Sequence, residues 1–358
     1  MTSRLFAIGL VAFLSVGAFA SRAAAVDVEI LPDLIYGHKD GLAMTLDVLK
    51  PKSGANGAAI LYMVSGGWVS RWAPPKESAD RFQFLLEKGF TVVVVRHGSS
   101  PRYQVPDAVS DVRRAVRFVR YHAKEWGVDA SRLGVHGGSA GGHLSLVLGT
   151  ASDAGDPSAE EPFMRESNRV ASVVAYFPPV DLRTMARGAV QATEGQRFPA
   201  LNFEKEKAAD ISPILFVTPD DPPTLLIHGD ADTTVNISHS QRMFQALQEN
   251  RIKSNFITLP GAGHGFRDAD AQKAQDAFVK TFQQKEIPDE MPEYEVQAGQ
   301  TVLDVILAAN MAASRSEARR LFDQRGVRLD GMTVERGDIA FPHPGVLQVG
   351  KRKFLRVK

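Results

Sequence analysis

The chain has 358 residues, of which 44% are hydrophobic and 23% are charged, a composition typical of a soluble globular protein with one large and one smaller domain. Its formal net charge is +1, so the chain as a whole favours neither polyanionic nor polycationic partners, and any basic surface must be local. The chain contains no cysteine, which excludes disulfides, thiolate metal sites and a cysteine nucleophile.

The first 25 residues have the pattern of a signal peptide. Arg4 gives a positive start, residues 5–20 form an apolar run, and Ala23-Ala24-Ala25 offers a small-x-small cleavage site. The apolar run is shorter than the roughly 20 residues needed to span a bilayer. We therefore expect a cleaved signal peptide over residues 1–25 and a secreted or periplasmic protein without a stable membrane span; a retained anchor is the alternative.

From residue 26 to residue 284, short apolar runs alternate with segments of helical periodicity. The run Thr91-Val92-Val93-Val94-Val95 is typical of a strand buried on both faces. This alternation predicts an α/β fold with a mostly parallel sheet. Residues 152–213 depart from it, and we expect them to form a partial cap. The predicted strands span residues 43–49, 58–64, 91–95, 133–136, 170–177, 224–228 and 255–259, and the predicted helices span residues 78–88, 107–125, 140–148, 238–248 and 271–283.

The most specific motif is "GGSAG", which places Ser139 between Gly137 and Gly141. It follows a predicted strand and precedes a predicted helix, the context in which G-x-S-x-G forms a sharp turn that exposes a nucleophilic serine. The helix N-terminus favours developing negative charge there. A phosphate-binding glycine loop is the alternative, but no Lys-Ser/Thr pair follows.

A nucleophilic serine needs a base and an orienting carboxylate, which in this fold follow in the order acid, then histidine. His264 lies in the glycine-flanked stretch "LPGAGHGF" after a predicted strand, and Asp230 and Asp232 follow the preceding one. Open parallel sheets bind their ligands at the carboxyl ends of the strands, so we expect these side chains to lie at the same edge of the sheet as Ser139. We favour Asp232 as the acid, and expect Asp230 to hold the loop.

These motifs together resemble the α/β-hydrolase superfamily, in particular its esterase/lipase branch of the feruloyl-esterase-like, BD-FAE type. The resemblance covers roughly residues 28–284 and implies that Ser139, Asp232 and His264 form the catalytic triad. It also implies a two-step acyl transfer that needs no cofactor or metal. The other histidines, His136 and His143, are expected to be structural.

The oxyanion loop of this branch usually reads His-Gly-Gly-x-Trp, whereas this chain has "VSGGW". The resemblance implies that Gly66 or Gly67, together with Ala140, donates backbone N–H groups to the oxyanion. Trp68 matches the tryptophan and either belongs to the core or forms a wall of the substrate pocket. The missing histidine leaves open what holds the loop.

The resemblance implies an exported serine carboxylesterase, and acetyl or feruloyl esters of polysaccharides are the expected substrates. Two alternatives remain. One is a serine peptidase similar to the prolyl oligopeptidases, which share the order of the triad. The other is an RNA- or polyanion-binding protein with an accessory hydrolase domain.

That second alternative arises from the last part of the chain. Residues 285–293 read as a linker, and residues 294–358 as a small domain in which Ser314 and Glu317 predict a capping box. The stretches "SRSEARRLFDQRGVRLDG" and "LQVGKRKFLRV" resemble the S4 RNA-binding domain, especially that of tyrosyl-tRNA synthetases. Two other interpretations of this domain remain open: it binds a polyanion other than RNA, or it has a purely structural role. The resemblance implies these anion-binding candidates: Arg315, Arg319, Arg320, Arg325, Lys351, Arg352 and Lys353.

Overall fold

The computed structural model describes residues 26–185, 198–266, 291–297, 299–324, 326–329, 332–341, 345–350 and 353–358. The predicted signal peptide, the predicted helix over residues 271–283 and most of the predicted linker lie outside these ranges and stay predictions. Within these ranges, no helix has both the length and the apolar character needed to cross a membrane.

The larger sheet has eight strands in the order β1-β2-β4-β3-β5-β6-β7-β8. The pairs β1–β2 and β2–β4 are antiparallel, and every other neighbouring pair is parallel. This arrangement confirms the predicted α/β fold with its mostly parallel sheet. The strands are β1 (Val28–Lys39), β2 (Leu42–Pro51), β3 (Ala59–Met63), β4 (Thr91–Val95), β5 (Leu133–Gly138), β6 (Ser172–Tyr176), β7 (Thr224–Gly229) and β8 (Ser254–Leu259).

Helices cover both faces of this sheet. Alternate residues of β4 enter two separate core clusters, because Val93 packs on one face and Val92 on the other. The short helices α1 and α2 share the second cluster, and α3, α4 and α5 contribute to the first. The helices are α1 (Pro75–Arg81), α2 (Gln83–Leu86), α3 (Val105–His122), α4 (Ala140–Thr150) and α5 (Ser238–Glu249).

The sequence patterns did not predict β1. Its pairing with β2 shifts register twice, between Leu31 and Leu34 and again between Ile35 and Gly37. Each irregularity interrupts the alternation of inward and outward side chains by which a strand is recognised. As an edge strand, β1 is also only partly buried.

In the described part of the predicted cap, residues 198–213 pack several apolar side chains into the main core. Short 3₁₀ helices span Pro199–Leu201 and Lys205–Ile211, and their apolar side chains, such as Leu201 and Ala208, are fully buried. These residues therefore act as core rather than as a separate layer over the sheet.

The C-terminal residues form a small α+β domain with its own core and a five-stranded sheet in the order β11-β10-β12-β13-β9. The sheet begins at Glu293, the last residue of the predicted linker. The elements are β9 (Glu293–Tyr294), α6 (Val302–Ala308), α7 (Arg315–Asp323), β10 (Val327–Leu329), β11 (Met332–Thr333), β12 (Gly345–Val349) and β13 (Lys353–Val357).

The predicted cap of α7 differs in one bond from a full capping box. Ser314 Oγ accepts a hydrogen bond from the Glu317 N–H at 3.2 Å, as predicted. The Glu317 carboxylate, however, accepts from the N–H of Ala313 at 2.7 Å, one residue before the N-cap. The backbone N–H groups of Ala313 and Glu317 therefore both have side-chain acceptors at the start of α7.

A buried ion pair joins β2 to the end of β4. Arg96 Nη1 and Nη2 each lie 2.7 Å from an oxygen of Asp47, and the Asp47 side chain is fully buried. Asp47 Oδ1 also accepts from the backbone N–H of Asp33 in β1 at 2.8 Å. This pair therefore ties together three strands at the end of the sheet where Arg96 lies.

We predict that Asp47→Ala lowers the free energy of unfolding by about 3–5 kcal/mol, because it removes the buried counter-charge of Arg96 and leaves only the half-exposed Asp33 beside the guanidinium. Urea unfolding of purified protein measures this loss. The matched control is Asp80→Ala, which breaks the exposed Lys76–Asp80 pair and should cost less than about 1 kcal/mol. Equal losses for the two variants would contradict the prediction.

Candidate functional site

Ser139 lies in a strained turn between β5 and α4. Its backbone has φ 55° and ψ −120°, a conformation that non-glycine residues rarely adopt. A Cβ on Gly137 would lie 2.5 Å from the backbone of Gly141, and a Cβ on Gly141 would lie 2.6 Å from the carbonyl oxygen of Met63. Only glycine fits at either position, which is the steric requirement that the sequence motif predicts.

The structure brings the three predicted triad residues into one hydrogen-bonded chain. His264 Nε2 lies 3.0 Å from Ser139 Oγ, and His264 Nδ1 lies 2.8 Å from Asp232 Oδ2. Because a carboxylate only accepts, the Nδ1–H donates to Asp232, and Nε2 is left to accept from the serine hydroxyl. The imidazole thus has the tautomer that a general base toward Ser139 requires.

The environment of Asp232 keeps it ionised. Burial alone would raise its pKa, but hydrogen bonds from His264 and from the N–H groups of Val235 and Thr234 outweigh burial and lower it. Its Oδ1 accepts from the two amides at 2.8 and 2.9 Å. The other candidate, Asp230, accepts from the Gly261 N–H at 2.6 Å and so holds the loop.

The predicted oxyanion loop forms a tight turn after β3. The Gly66 N–H donates to the Val69 carbonyl at 3.0 Å, and the Val69 N–H donates back at the same distance. This corrects the prediction for Gly66, because its amide is already used within the turn. Gly67, at φ 58°, and Ala140, the first residue of α4, remain as the candidate donors.

Trp68 belongs to the core, which corrects the alternative that it forms a wall of the substrate pocket. It is only 3% exposed, and its Nε1–H donates to His143 Nδ1 at 3.3 Å. The Nε2–H of His143 donates in turn to the Ile211 carbonyl at 2.7 Å. Burial lowers the pKa of His143 to about 4, so this ring is a neutral connector between the turn after β3 and the 3₁₀ helix Lys205–Ile211.

His97 provides an imidazole that contacts the candidate oxyanion loop, which lacks the motif's own histidine. Ser65 Oγ lies 2.8 Å from His97 Nε2, and His97 Nδ1 lies 2.8 Å from the Gly98 carbonyl. The Gly98 N–H donates to Asp111 on α3 at 2.9 Å. Sequence reasoning missed His97 because it follows β4, more than 30 residues from Ser65.

Aromatic side chains lie near His264 and near the candidate oxyanion loop, and the sequence analysis did not single them out. The Phe177 ring centroid lies 4.7 Å from that of His264 and 4.9 Å from that of Phe266. Phe177 directly follows β6 and has φ 38°, a conformation that non-glycine residues rarely adopt. Phe198 would lie 2.9 Å from a Cβ on Gly67. The motif "FPPVDL" was the available signal for Phe177.

Asp181 and the predicted structural residue His136 both have partners that explain them. Asp181 accepts from Arg183 Nη2 and from Arg242 Nη2, each at 2.8 Å. His136 is buried beside the rings of Tyr62 and Phe82, and burial lowers its pKa to about 3. Within the described ranges, no group of three or more potential metal ligands occurs.

The anion-binding candidates divide into two groups. Arg325, Lys351 and Arg352 lie outside the described residues. Arg319 and Arg320 are exposed on α7, and Arg315 lies 3.2 Å from Asp304. Lys353 is exposed on β13 and donates to the Met311 carbonyl at 2.9 Å.

The model of the BD-FAE family matches residues 46–247, more than half of the chain. The chain belongs to this family. The model of the dienelactone hydrolase family matches residues 208–287 of this BD-FAE member.

Three known proteins illustrate the similarities. The probable carboxylic ester hydrolase LipM of Mycobacterium tuberculosis is 27% identical over 243 residues, which cover 65% of this chain and 56% of LipM; the match thus spans little more than half of that relative. A solved truncated carbohydrate esterase from gut microbiota is 28% identical, with a TM-score of 0.60, over 73% of this chain and 99% of that one. The tyrosine–tRNA ligase of Thermotoga maritima is 48% identical over 98 residues, which cover 26% of this chain and 23% of the ligase.

The buried His143 makes the stability of this BD-FAE member dependent on pH. Its pKa is lowered from 6.5 to about 4, so the unfolded chain binds a proton that the folded chain excludes between these values. We predict that acidification from about pH 6.5 to pH 4 costs up to about 3 kcal/mol through this residue. Urea unfolding of wild type and His143→Gln across this range should show a shallower loss in the variant. Parallel curves would contradict the prediction.

Proposed function

We propose that this chain is a serine carboxylesterase that acts through Ser139, His264 and Asp232. The observation that carries the proposal is the continuous chain of hydrogen bonds from Ser139 Oγ through both nitrogens of His264 to the buried Asp232. The similarity to LipM and to a carbohydrate esterase supports an ester as the substrate.

In the first step, His264 Nε2 takes the proton of Ser139 as its Oγ attacks the ester carbonyl carbon. The new oxyanion accepts hydrogen bonds from the N–H groups of Gly67 and Ala140, an effect worth about 3 kcal/mol for each donor. Asp232 stabilises the imidazolium that forms. His264 then returns the proton to the leaving alkoxide, and the ester C–O bond breaks to give an acyl-enzyme and a free alcohol.

In the second step, a water molecule replaces the alcohol. His264 Nε2 removes one proton from this water as its oxygen attacks the acyl-enzyme, and the same proton then passes to Ser139 Oγ as the acyl group leaves as a carboxylic acid. Phe177 packs against His264 throughout, which restricts the ring to the orientation that serves both steps. The site needs no group beyond these side chains and amides.

The finer proposal is an exported enzyme that removes acetyl or feruloyl groups from polysaccharides. The signal peptide that residues 1–25 predict would carry the enzyme to such polymers. Apolar side chains of the described cap region, such as Leu201 and Phe203, belong to the main core rather than to an exposed apolar surface, which supports a short acyl group. The competing hypothesis is a serine peptidase, which would use the same three residues to cleave an amide bond.

We predict that Ser139→Ala lowers kcat/KM for 4-nitrophenyl acetate by about 10⁴–10⁶-fold without loss of folding. Wild type should also release acetate from acetylated xylan and leave a proline-containing dipeptide amide intact. Initial rates and circular dichroism provide the measurements.

Ser158→Ala is the matched control, because this exposed serine lies in a surface turn and its removal should leave turnover unchanged. Undiminished hydrolysis by the Ser139→Ala variant would refute the assignment of the nucleophile. Faster cleavage of the amide than of any ester would favour the peptidase.

We further propose that the C-terminal domain binds a structured RNA through α7. The similarity from which this proposal starts is the 48% identity to a tyrosine–tRNA ligase over 98 residues, which cover 23% of that ligase. Arg319 and Arg320 are exposed on α7, which suits contact with a phosphate backbone.

We predict that the double variant Arg319→Gln/Arg320→Gln binds a short RNA hairpin more weakly, with a slope of log affinity against log salt that is smaller by about two. Fluorescence anisotropy of the full chain at several salt concentrations measures both quantities. Arg336→Gln is the control, because this exposed arginine already pairs with Asp338 at 2.8 Å. Absence of binding at low salt, or an affinity that does not change with salt concentration, would rule out the proposal.

A further inference from the structure

Trp72 has a large exposed aromatic surface on the segment that continues from the candidate oxyanion loop. It is 59% exposed, more than any other large hydrophobic side chain in the described ranges. Tryptophan carries a large apolar area whose burial is favourable. An exposed tryptophan does not gain this stabilisation in the free protein. A ligand that packs on the indole would bury the same apolar area.

The indole is held in one orientation. Its Nε1–H donates to Asp33 Oδ1 at 3.1 Å, and the same oxygen accepts from Arg96 Nη2 at 2.9 Å. Arg96 is itself fixed by its buried pair with Asp47. The indole is therefore anchored through its N–H edge to a rigid ion-pair network, although its ring carbons stay exposed.

A hydrogen-bonding group lies beside this aromatic surface. The second oxygen of Asp33, Oδ2, accepts no hydrogen bond from another described residue, and half of the Asp33 side chain is exposed. Asp33 has φ 50°, so its backbone is also held in an uncommon conformation. A ligand on the indole would thus meet an apolar surface and a free carboxylate oxygen together.

Trp72 is anchored at the same sheet edge as Ser139. Arg96 directly follows β4 and Ser139 directly follows β5, and both strands run parallel to β3, which lies between them. Asp33, which accepts the indole N–H, lies in β1, four strands away from β5 in the order β1-β2-β4-β3-β5. Because neighbouring strands are about 4.8 Å apart, Asp33 lies about 20 Å along this edge from Ser139. A group on Trp72 can therefore belong to the same molecule as an ester bound at Ser139 if that molecule is an extended one, such as an oligosaccharide.

We propose that Trp72 and Asp33 form a subsite for a glycosyl residue of the ester substrate. A pyranose ring presents C–H groups on its face and hydroxyl groups at its edge, which match an indole surface and a carboxylate acceptor respectively. This inference rests on the proposed esterase function and specifies its substrate: the acyl group is carried by an oligosaccharide that extends beyond the reacting sugar. Trp72 contacts the distant part of the substrate and takes no part in the chemistry.

Kinetics on two substrates test this subsite. Trp72→Ala should raise KM for acetylated xylo-oligosaccharides about tenfold, leave their kcat nearly unchanged, and leave kcat/KM for 4-nitrophenyl acetate at the wild-type value. Trp72→Phe should restore most of the affinity. Tyr121→Ala is the matched control, since it removes an aromatic side chain of similar exposure from α3.

Calorimetric titration of the full chain with unacetylated xylohexaose separates the subsite from the esterase activity. Binding that is lost in Trp72→Ala supports the subsite even if no ester is hydrolysed, an outcome that would refute only the proposed function. An oligosaccharide KM that is unchanged in Trp72→Ala, or that changes equally in Tyr121→Ala, would overturn the subsite while leaving the esterase intact. Equal losses on both ester substrates would also overturn it.

Discussion

The close approach of three backbone segments around Gly141 determines the geometry of the site. The turn after β5 folds back so tightly that neither Gly137 nor Gly141 has room for a methyl group, and the carbonyl of Met63 at the end of β3 closes the other side. The proposed nucleophile, Ser139, and the loop after β3 are thus held in register by direct contact between backbone segments. Since β3 and β5 are adjacent parallel strands, the sheet itself sets the distance between Ser139 and the amides proposed to face it.

Features that depend on local sequence were predictable. The run of four valines in β4 predicted a strand buried on both faces. The glycine spacing around Ser139 predicted a steric requirement that involves only five consecutive residues. His264 followed from its place after a strand. By contrast, β1 was not predicted, because its two register shifts interrupt the alternation of inward and outward side chains by which a strand is recognised in a sequence.

Features that depend on distant contacts could not be predicted. Nothing near Ser65 indicates that an imidazole from the end of β4 approaches it. Likewise, the composition of the turn after β3 does not show that the Gly66 amide bonds within the turn. Trp68 matched a motif, yet only its partner His143 on α4 reveals that it is a core residue. In each case a pattern identifies the residue type, but the fold decides its hydrogen-bond partner.

The two oxygens of Asp232 differ in a way that limits how this position can change. Oδ1 is occupied by two backbone amides, whereas Oδ2 alone faces His264. An asparagine here would have to keep its carbonyl oxygen toward the amides, since its NH₂ group would otherwise oppose two donors. That NH₂ would then point at Nδ1 and leave the imidazole proton on Nε2, the nitrogen that must be free. The backbone after Asp232 thus discriminates against a substitution that differs from aspartate by a single atom.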